Sequence, residues 1–324
     1  THPDGVNKEQ SSSYHRFVLD FFSQLIVLKR KSGSGVGAQQ ELLIERMFEY
    51  ASMLQGGGNE SPQIGDSDDA RGIPFPEFGH VDFSDLVSTG AGIFGRDELR
   101  SRAPEIRAQS VWLLGPAIAD RDRSSEGRIE HPEPTYFEAG GMMRLPGLLP
   151  ECSADLLFDV GDLGLWPNAA HGHADALSVV VRVAGRAMLI DPGTGTYFGS
   201  PAARDAFRKT ASHNTITVDG FDQADIFDTF KWVNPFRIVG ENFFAGKRYT
   251  YGVAGHNGYR RLRNPVSHYR SVVSTGRGEW AIYDIVTGVG EHRLELNYHF
   301  RPEDNVHRTA DTGVSVVDPQ SGYR

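Results

Sequence analysis

The sequence predicts a multidomain α+β chain, with a helical region over residues 1–130 followed by an antiparallel β-sandwich over residues 131–324. Three observations predict it. Up to about residue 114, apolar residues recur at spacings of three and four. Beyond the polar stretch ADRDRSSEGRIEHPEP the period falls to two. The strand candidates there are short and separated by turn residues rather than by helices, which favours stacked antiparallel sheets over an alternating α/β sheet. The 324 residues, 39% hydrophobic and 23% charged, are enough for two cores.

Taken in order, Ser11, Ser12 and Ser13 offer helix caps. Behind them Tyr14, Phe17, Val18, Phe21, Phe22, Leu25 and Leu28 form a stripe expected to face the core. A second helix is expected from Gln39 to Leu54, with Leu42, Leu43, Met47, Tyr50 and Leu54 on one side. Residues 55–82, rich in Gly, Asn, Ser, Asp and Pro, read as a long functional loop. Shorter helical patterns follow near 83–88 and 105–114. Strands are expected at 135–137, 142–145, 154–159, 177–183, 187–190, 215–218, 267–274, 280–286 and 294–300.

The segment AAHGHADALSVVVRVAGRAMLIDPGTGTYF carries most of the chemistry. Two histidines one residue apart precede an apolar run, a glycine reversal and a second apolar run ending at Asp191. On an extended segment His171 and His173 would face one side, with Gly172 facing the other. His213 opens a further strand-like run. Three imidazoles and a carboxylate at strand ends suit one metal ion: zinc, or in the absence of a thiolate also manganese or iron.

Other readings fit less well. The metallo-β-lactamase-type signature HxHxDH fails because Ala176 follows Asp175. A cupin-like oxygenase would leave the helical first part unexplained. Asp175 is expected to hydrogen-bond locally. The acidic loop GDSDDAR lacks the glycine and final Glu of an EF-hand and reads as a structured loop near a cleft. GTGTYFG lacks a P-loop Lys. Trp166 and Trp232 offer either packing or sugar stacking.

A formal net charge of −9 argues against nucleic acid or an anionic membrane as the global partner. Arg208, Lys209, Arg260, Arg261 and Arg263 are candidates for a local basic cleft. Cys152 is the sole cysteine and cannot form an internal disulfide. No apolar run reaches the length of a membrane-spanning helix. The start at THPDG and the stop at SGYR read as a fragment cut within the sandwich.

The helical-then-sandwich order, with HGHADALS, LIDPGTGTY and SHNTITVDG, resembles the heparinase II/III-like family of polysaccharide lyases, which includes relatives acting on alginate. DGVNKEQSSSYHRFVLDFF and PQIGDSDDAR are similar to further pieces of it. The resemblance implies an (α/α) toroid followed by stacked antiparallel sheets, with the active site between them. Only the later toroid helices and the first part of the sheets would be present here. It implies that His171 is the catalytic histidine and that His173, Asp191 and His213 hold a metal, Zn2+ first and Mn2+ or another divalent ion next. Tyr14 lies where the family has its catalytic tyrosine, although a core-packed helix aromatic is the structural alternative. No counterpart of the family's upstream Asn or Asn-His precedes Tyr14.

The implied substrate is an acidic polysaccharide, met in the periplasm or outside the cell. β-Elimination from a uronic acid needs a base for the C5 proton, an acid for the leaving O4 and donors for the charge on the carboxylate. An Asn amide, an imidazolium or an Arg such as Arg208, the substrate-binding candidate, could serve the last role. A non-catalytic, metal-containing polysaccharide-binding module of the same fold is the alternative.

Overall fold

The computed structural model describes residues 1–56, 58, 60–73, 75, 82–103, 105–121, 132–149, 151–309, 313–317 and 319. The expected boundary near residue 130 lies outside them. Helices come first: α1 (Ser12–Lys31), α2 (Ala38–Gln55), α3 (Ser84–Phe94), α4 (Asp97–Arg102) and α5 (Ala108–Leu114). Strands β1 (Thr135–Phe137), β2 (Met142–Leu148), β3 (Ser153–Asp159), β4 (Val179–Val183) and β5 (Arg186–Leu189) form a five-stranded antiparallel sheet in chain order.

After helix α6 (Pro201–Arg208) come β6 (Ile216–Val218), β7 (Asp225–Ile226) and β8 (Trp232–Val233). Next are β9 (Ile238–Ala245), β10 (Thr250–His256), β11 (Val266–Ser274) and β12 (Trp280–Gly288). These last four make a second antiparallel sheet, ordered β12-β11-β10-β9. Strand β13 (Leu294–Leu296) pairs with β6, β7 with β8, and β14 (Asn305–Arg308) with β15 (Val314–Val317).

Three layers result, and the pleat of the first sheet joins them. From that sheet Phe137, Met142, Leu157 and Val180 pack into the core shared with the helices. Their neighbours Met143, Leu145, Leu156, Phe158 and Val179 pack with Ala254 and Val272 of the second sheet. Because both faces of β3 are covered, its sequence SADLLFD is a nearly continuous apolar run rather than an alternating one.

The stripe expected on α1 faces the core only in part: Val18 and Phe22 pack against it. Phe21, Leu25 and Leu28 are exposed, Leu28 at 67%, while His15, Arg16, Leu19, Asp20, Ser23, Ile26 and Val27 are buried. Most of the buried polar atoms find partners. Arg16 Nη2 donates to both Asp85 oxygens at 2.8 and 3.0 Å, and Asp20 accepts from Gln109 Nε2 at 3.2 Å and the Gly72 amide at 3.1 Å. The buried face overlaps the expected stripe but is shifted toward polar residues, so hydrophobicity alone does not locate it. On α2, Met47, Tyr50 and Leu54 face inward and Leu42 outward.

Elements beyond those expected, among the described residues, are α4, α6, β7, β8, β9, β10, β14 and β15. β9 is a largely exposed edge strand whose Ile238 and Phe243 pack on the core, and β10 carries two glycines where its neighbours lie close. A Cβ on Gly252 would meet Met143 Sδ at 2.5 Å, and one on Gly255 would meet the Tyr269 ring at 2.4 Å.

Candidate active site

His171 has a left-handed backbone, with φ of 67°. That conformation is uncommon and costly for a residue with a Cβ. Two long-range hydrogen bonds hold it. Its amide donates to Phe230 O at 3.1 Å, and its carbonyl accepts from the Asp66 amide at 2.9 Å. The strand expected from residue 177 begins at Val179 instead, because Leu177 also has positive φ (64°) and a turn joins Asp175 to Ser178. Strand alternation therefore does not bring His171 and His173 together. A carboxylate does.

That carboxylate is Asp66, fully buried in the loop GDSDDAR. Its Oδ2 lies 3.2 Å from His171 Nδ1, its Oδ1 lies 3.1 Å from His173 Nε2, and Arg204 Nη2 donates to the same Oδ1. Burial alone would raise its pKa. Hydrogen bonds from His171 and His173, with the nearby charges of His173 and Arg204, win and bring it down to about 2. An ionised carboxylate only accepts, so both rings point an N–H at it. His171 is thereby left with Nε2 as its basic atom.

The start of α1 ties this loop to Tyr14. Ser11 Oγ donates to Asp66 O at 2.6 Å and caps the helix by accepting from the Tyr14 amide at 3.1 Å. The Tyr14 ring meets the His171 ring edge-on, with centroids 4.7 Å apart, and its hydroxyl lies 2.9 Å from that of Tyr197. Burial is the main influence on Tyr14 and raises its pKa, so the phenol keeps its proton near neutral pH. Phe230 packs against both His171 and Tyr197, and Arg204 lies over the Tyr197 ring at 5.2 Å. Through this aromatic collar 26% of the His171 side chain remains exposed.

Behind His171 the structure gathers His173, Asp191 and His213, all buried, with one ligand atom from each within 4.8 Å of the others. Among the described residues this is the group able to hold a metal ion, and His171 is outside it. His173 Nδ1 and His213 Nε2 have no hydrogen-bond partner, while His213 Nδ1 lies 2.9 Å from Asp191 Oδ2. Two imidazoles and a carboxylate fit zinc, manganese or iron, and a divalent ion would engage ring nitrogens that otherwise lack partners. Asp66 on the far nitrogen of His173 is the kind of outer support that orients metal-bound imidazoles. Burial lowers the pKa of His213, but the Asp191 charge beside it more than compensates and raises it. Burial also pushes Asp175, next to this group, up to about 6.

Arg208, expected to meet the substrate, faces inward. It is 1% exposed, donates to Asp205 Oδ1 at 2.8 Å and to the Thr229 and Asp228 carbonyls, and lies over the Trp232 ring at 5.1 Å. Of the other basic candidates, Arg261 pairs with Asp225 at 2.8 Å and Arg260 donates to Ser267 Oγ at 3.1 Å. Sequence reasoning missed Asp66, Tyr197 and Arg204 as site residues. The first two lie in segments singled out for their glycines and acids, GDSDDAR and GTGTYFG, so the only available signal was membership of those loops.

Solved structures share this fold. A heparinase III (BT4657 gene product) superposes with a TM-score of 0.69 at 16% identity, over 94% of this chain and 42% of its own. Heparan sulfate lyase HepC from Pedobacter heparinus gives the same four values. A further heparinase III gives 0.66 at 18% identity, over 98% of this chain and 46% of that one. The chain thus spans less than half the length of these proteins, and at such identities the likeness is one of fold. No curated protein matched. The sequence profile described as "Heparinase II/III-like, C-terminal" matches residues 130–323, and the chain belongs to the heparinase II/III-like family.

Proposed function

We propose that this chain carries the histidine–tyrosine part of a polysaccharide lyase that cleaves a uronic-acid-containing polysaccharide by β-elimination. Residues 1–130 are read as a portion of an (α/α) toroid and residues 131–324 as the sandwich, with the site in the cleft between them. The observation that carries this reading is the edge-on approach of Tyr14 to His171 at 4.7 Å, with Asp66 behind the imidazole.

With its Nδ1–H held by Asp66, His171 accepts the C5 proton at Nε2, and the imidazolium formed is stabilised by the carboxylate it already contacts. The Tyr14 hydroxyl gives its proton to O4 as the C4–O4 bond breaks and the C4–C5 double bond forms. Tyr197 keeps that hydroxyl oriented through the 2.9 Å contact. Phe230 and the two tyrosines limit water around the imidazole, which strengthens the Asp66–His171 interaction. His173, Asp191 and His213 would hold a divalent cation. When bound, such an ion supplies a fixed positive charge that ties their three chain segments together.

The test is incubation of the full chain with alginate, heparan-type and other bacterial uronate polymers, following ultraviolet absorbance of the conjugated, unsaturated product. A rise with at least one polymer, abolished in His171→Ala, is expected. Measurable binding with no rise for any uronate would assign a binding module instead.

A further inference from the structure

Beside the site lies a pocket of about 390 Å³ that the reaction does not use, within the size range of small-ligand sites. Trp166 and His171 flank the same short reversal, closed by paired hydrogen bonds between Leu165 and Ala170 at 2.8 and 3.2 Å. His171 leaves one end toward Tyr14. Trp166 lies at the other and lines the pocket.

The indole is left 57% exposed, forgoing much of the stabilisation that burial of an aromatic ring brings. Trp232, by contrast, is buried and donates from Nε1 to Gly172 O at 2.8 Å. Trp166 is nonetheless fixed. The Arg237 guanidinium stacks on it at 3.8 Å, and Arg237 is itself held by an ion pair to Asp162 and by its amide on Asn257 Oδ1 at 2.8 Å. Asp162 is anchored in turn by the Ile238 amide at 2.9 Å.

Glycines let the segments behind the pocket pack closely. A Cβ on Gly164 would meet Ala170 O at 2.5 Å, and one on Gly161 would sit 3.1 Å from Gln10 Oε1. The result is a rigid apolar plate edged by hydrogen-bonding groups, and that suits a pyranose ring, whose C–H face is apolar and whose rim is polar.

Charge narrows the ligand. The lining holds Glu138, Asp162 and Glu241 against the permanent cations Lys8 and Arg237. Such a field tolerates a hydroxyl-rich ring and opposes clustered sulfates. We infer that this pocket binds an unsulfated pyranose of the polysaccharide chain, next to the residue presented to His171. This rests on the polysaccharide reading above and narrows it to polymers of low sulfate content.

The test titrates the full-length His171→Ala protein, with and without Trp166→Ala, by calorimetry. The probes are hexasaccharides of alginate, of unsulfated glucuronate–N-acetylglucosamine and of heparin. Expected are binding of at least one unsulfated probe, a loss of about tenfold in its affinity in Trp166→Ala with unchanged melting temperature and metal content, and weaker binding of heparin. In the otherwise wild-type enzyme, Trp166→Ala should raise KM for that polymer about tenfold and leave kcat unchanged. Arg237→Ala should weaken the same probe without moving the Trp166-independent binding of heparin. Equal affinity with and without Trp166, tighter binding of heparin than of the unsulfated probes, or no binding of either unsulfated probe overturns the inference. Because binding is read without turnover, a protein that turns over uronates but ignores Trp166 refutes the pocket alone. One that binds through Trp166 yet eliminates nothing refutes the lyase reading alone.

Discussion

His171 keeps a backbone conformation that costs on the order of 1–3 kcal/mol, and contacts from Phe230 and Asp66 hold it there. The return is an imidazole whose orientation and tautomer are set before any substrate arrives. Replacing Asp66 by Asn presents an amide N–H or a neutral carbonyl where a charge stood, so the imidazolium loses its stabilising partner. Asp66→Asn should therefore lower kcat by about 10²- to 10⁴-fold with KM nearly unchanged, by analogy with other carboxylate–histidine pairs. A kcat within threefold of wild type, in protein shown folded by its melting curve, would remove the role. Tyr14→Phe keeps the ring contact with His171 and deletes only the hydroxyl. It should lose at least about 10²-fold in elimination rate while metal content stays constant. Near-normal rates would pass the proton-donor role to Tyr197, whose Tyr197→Phe variant should then show the larger loss.

On α1 the chemistry-bearing and core-forming faces are neighbours, and this explains what sequence reasoning could see. The serine cap, the helix and Tyr14 near its start were legible, because capping and periodicity are local properties. Which face was buried was not, because Arg16 finds Asp85 only through the tertiary fold. The same applies across the chain. The HGH, Asp-Pro-Gly and His-Asn segments were readable as one site from residue type, whereas the loop carboxylate joining two of their rings was not.

The buried face of α1 also makes a prediction. His15 is fully buried, with Nε2 donating to Met47 O at 2.9 Å, and burial brings its pKa from 6.5 to about 4. The unfolded chain therefore takes up this proton first. Stability is complete above the unfolded value and is lost as the pH falls from about 6.5 towards 4, by on the order of 3 kcal/mol for this group. The fall in melting temperature between about pH 7 and about pH 4.5 should shrink in His15→Gln relative to wild type. An identical fall in both would show that His15 is not the group responsible.

At the scale of the molecule, His173 precedes β4, Asp191 follows β5 and His213 precedes β6, so the triad sits where the first sheet meets the β6–β13 pair. Asp66 extends that meeting point to the cap of α1 through Ser11. A cation gripped by the three side chains would therefore tie the first sheet to the β6–β13 pair, and through Asp66 would reach the helices. Binding energy at such a site adds directly to folding energy, because the unfolded chain offers no assembled ligand set. Dialysis against a chelator should lower the melting temperature and elimination rate together, and zinc or manganese should restore both. His173→Ala should begin at the lower melting temperature, contain less metal by elemental analysis and show no further fall on chelation. His171→Ala should respond to the chelator as wild type does, since His171 lies outside the triad. A chelator-induced fall of equal size in His173→Ala would place the ion elsewhere. No fall in wild type, with metal content unchanged by His173→Ala and by Asp191→Ala, would leave the three side chains as a hydrogen-bonded core with no ion to hold.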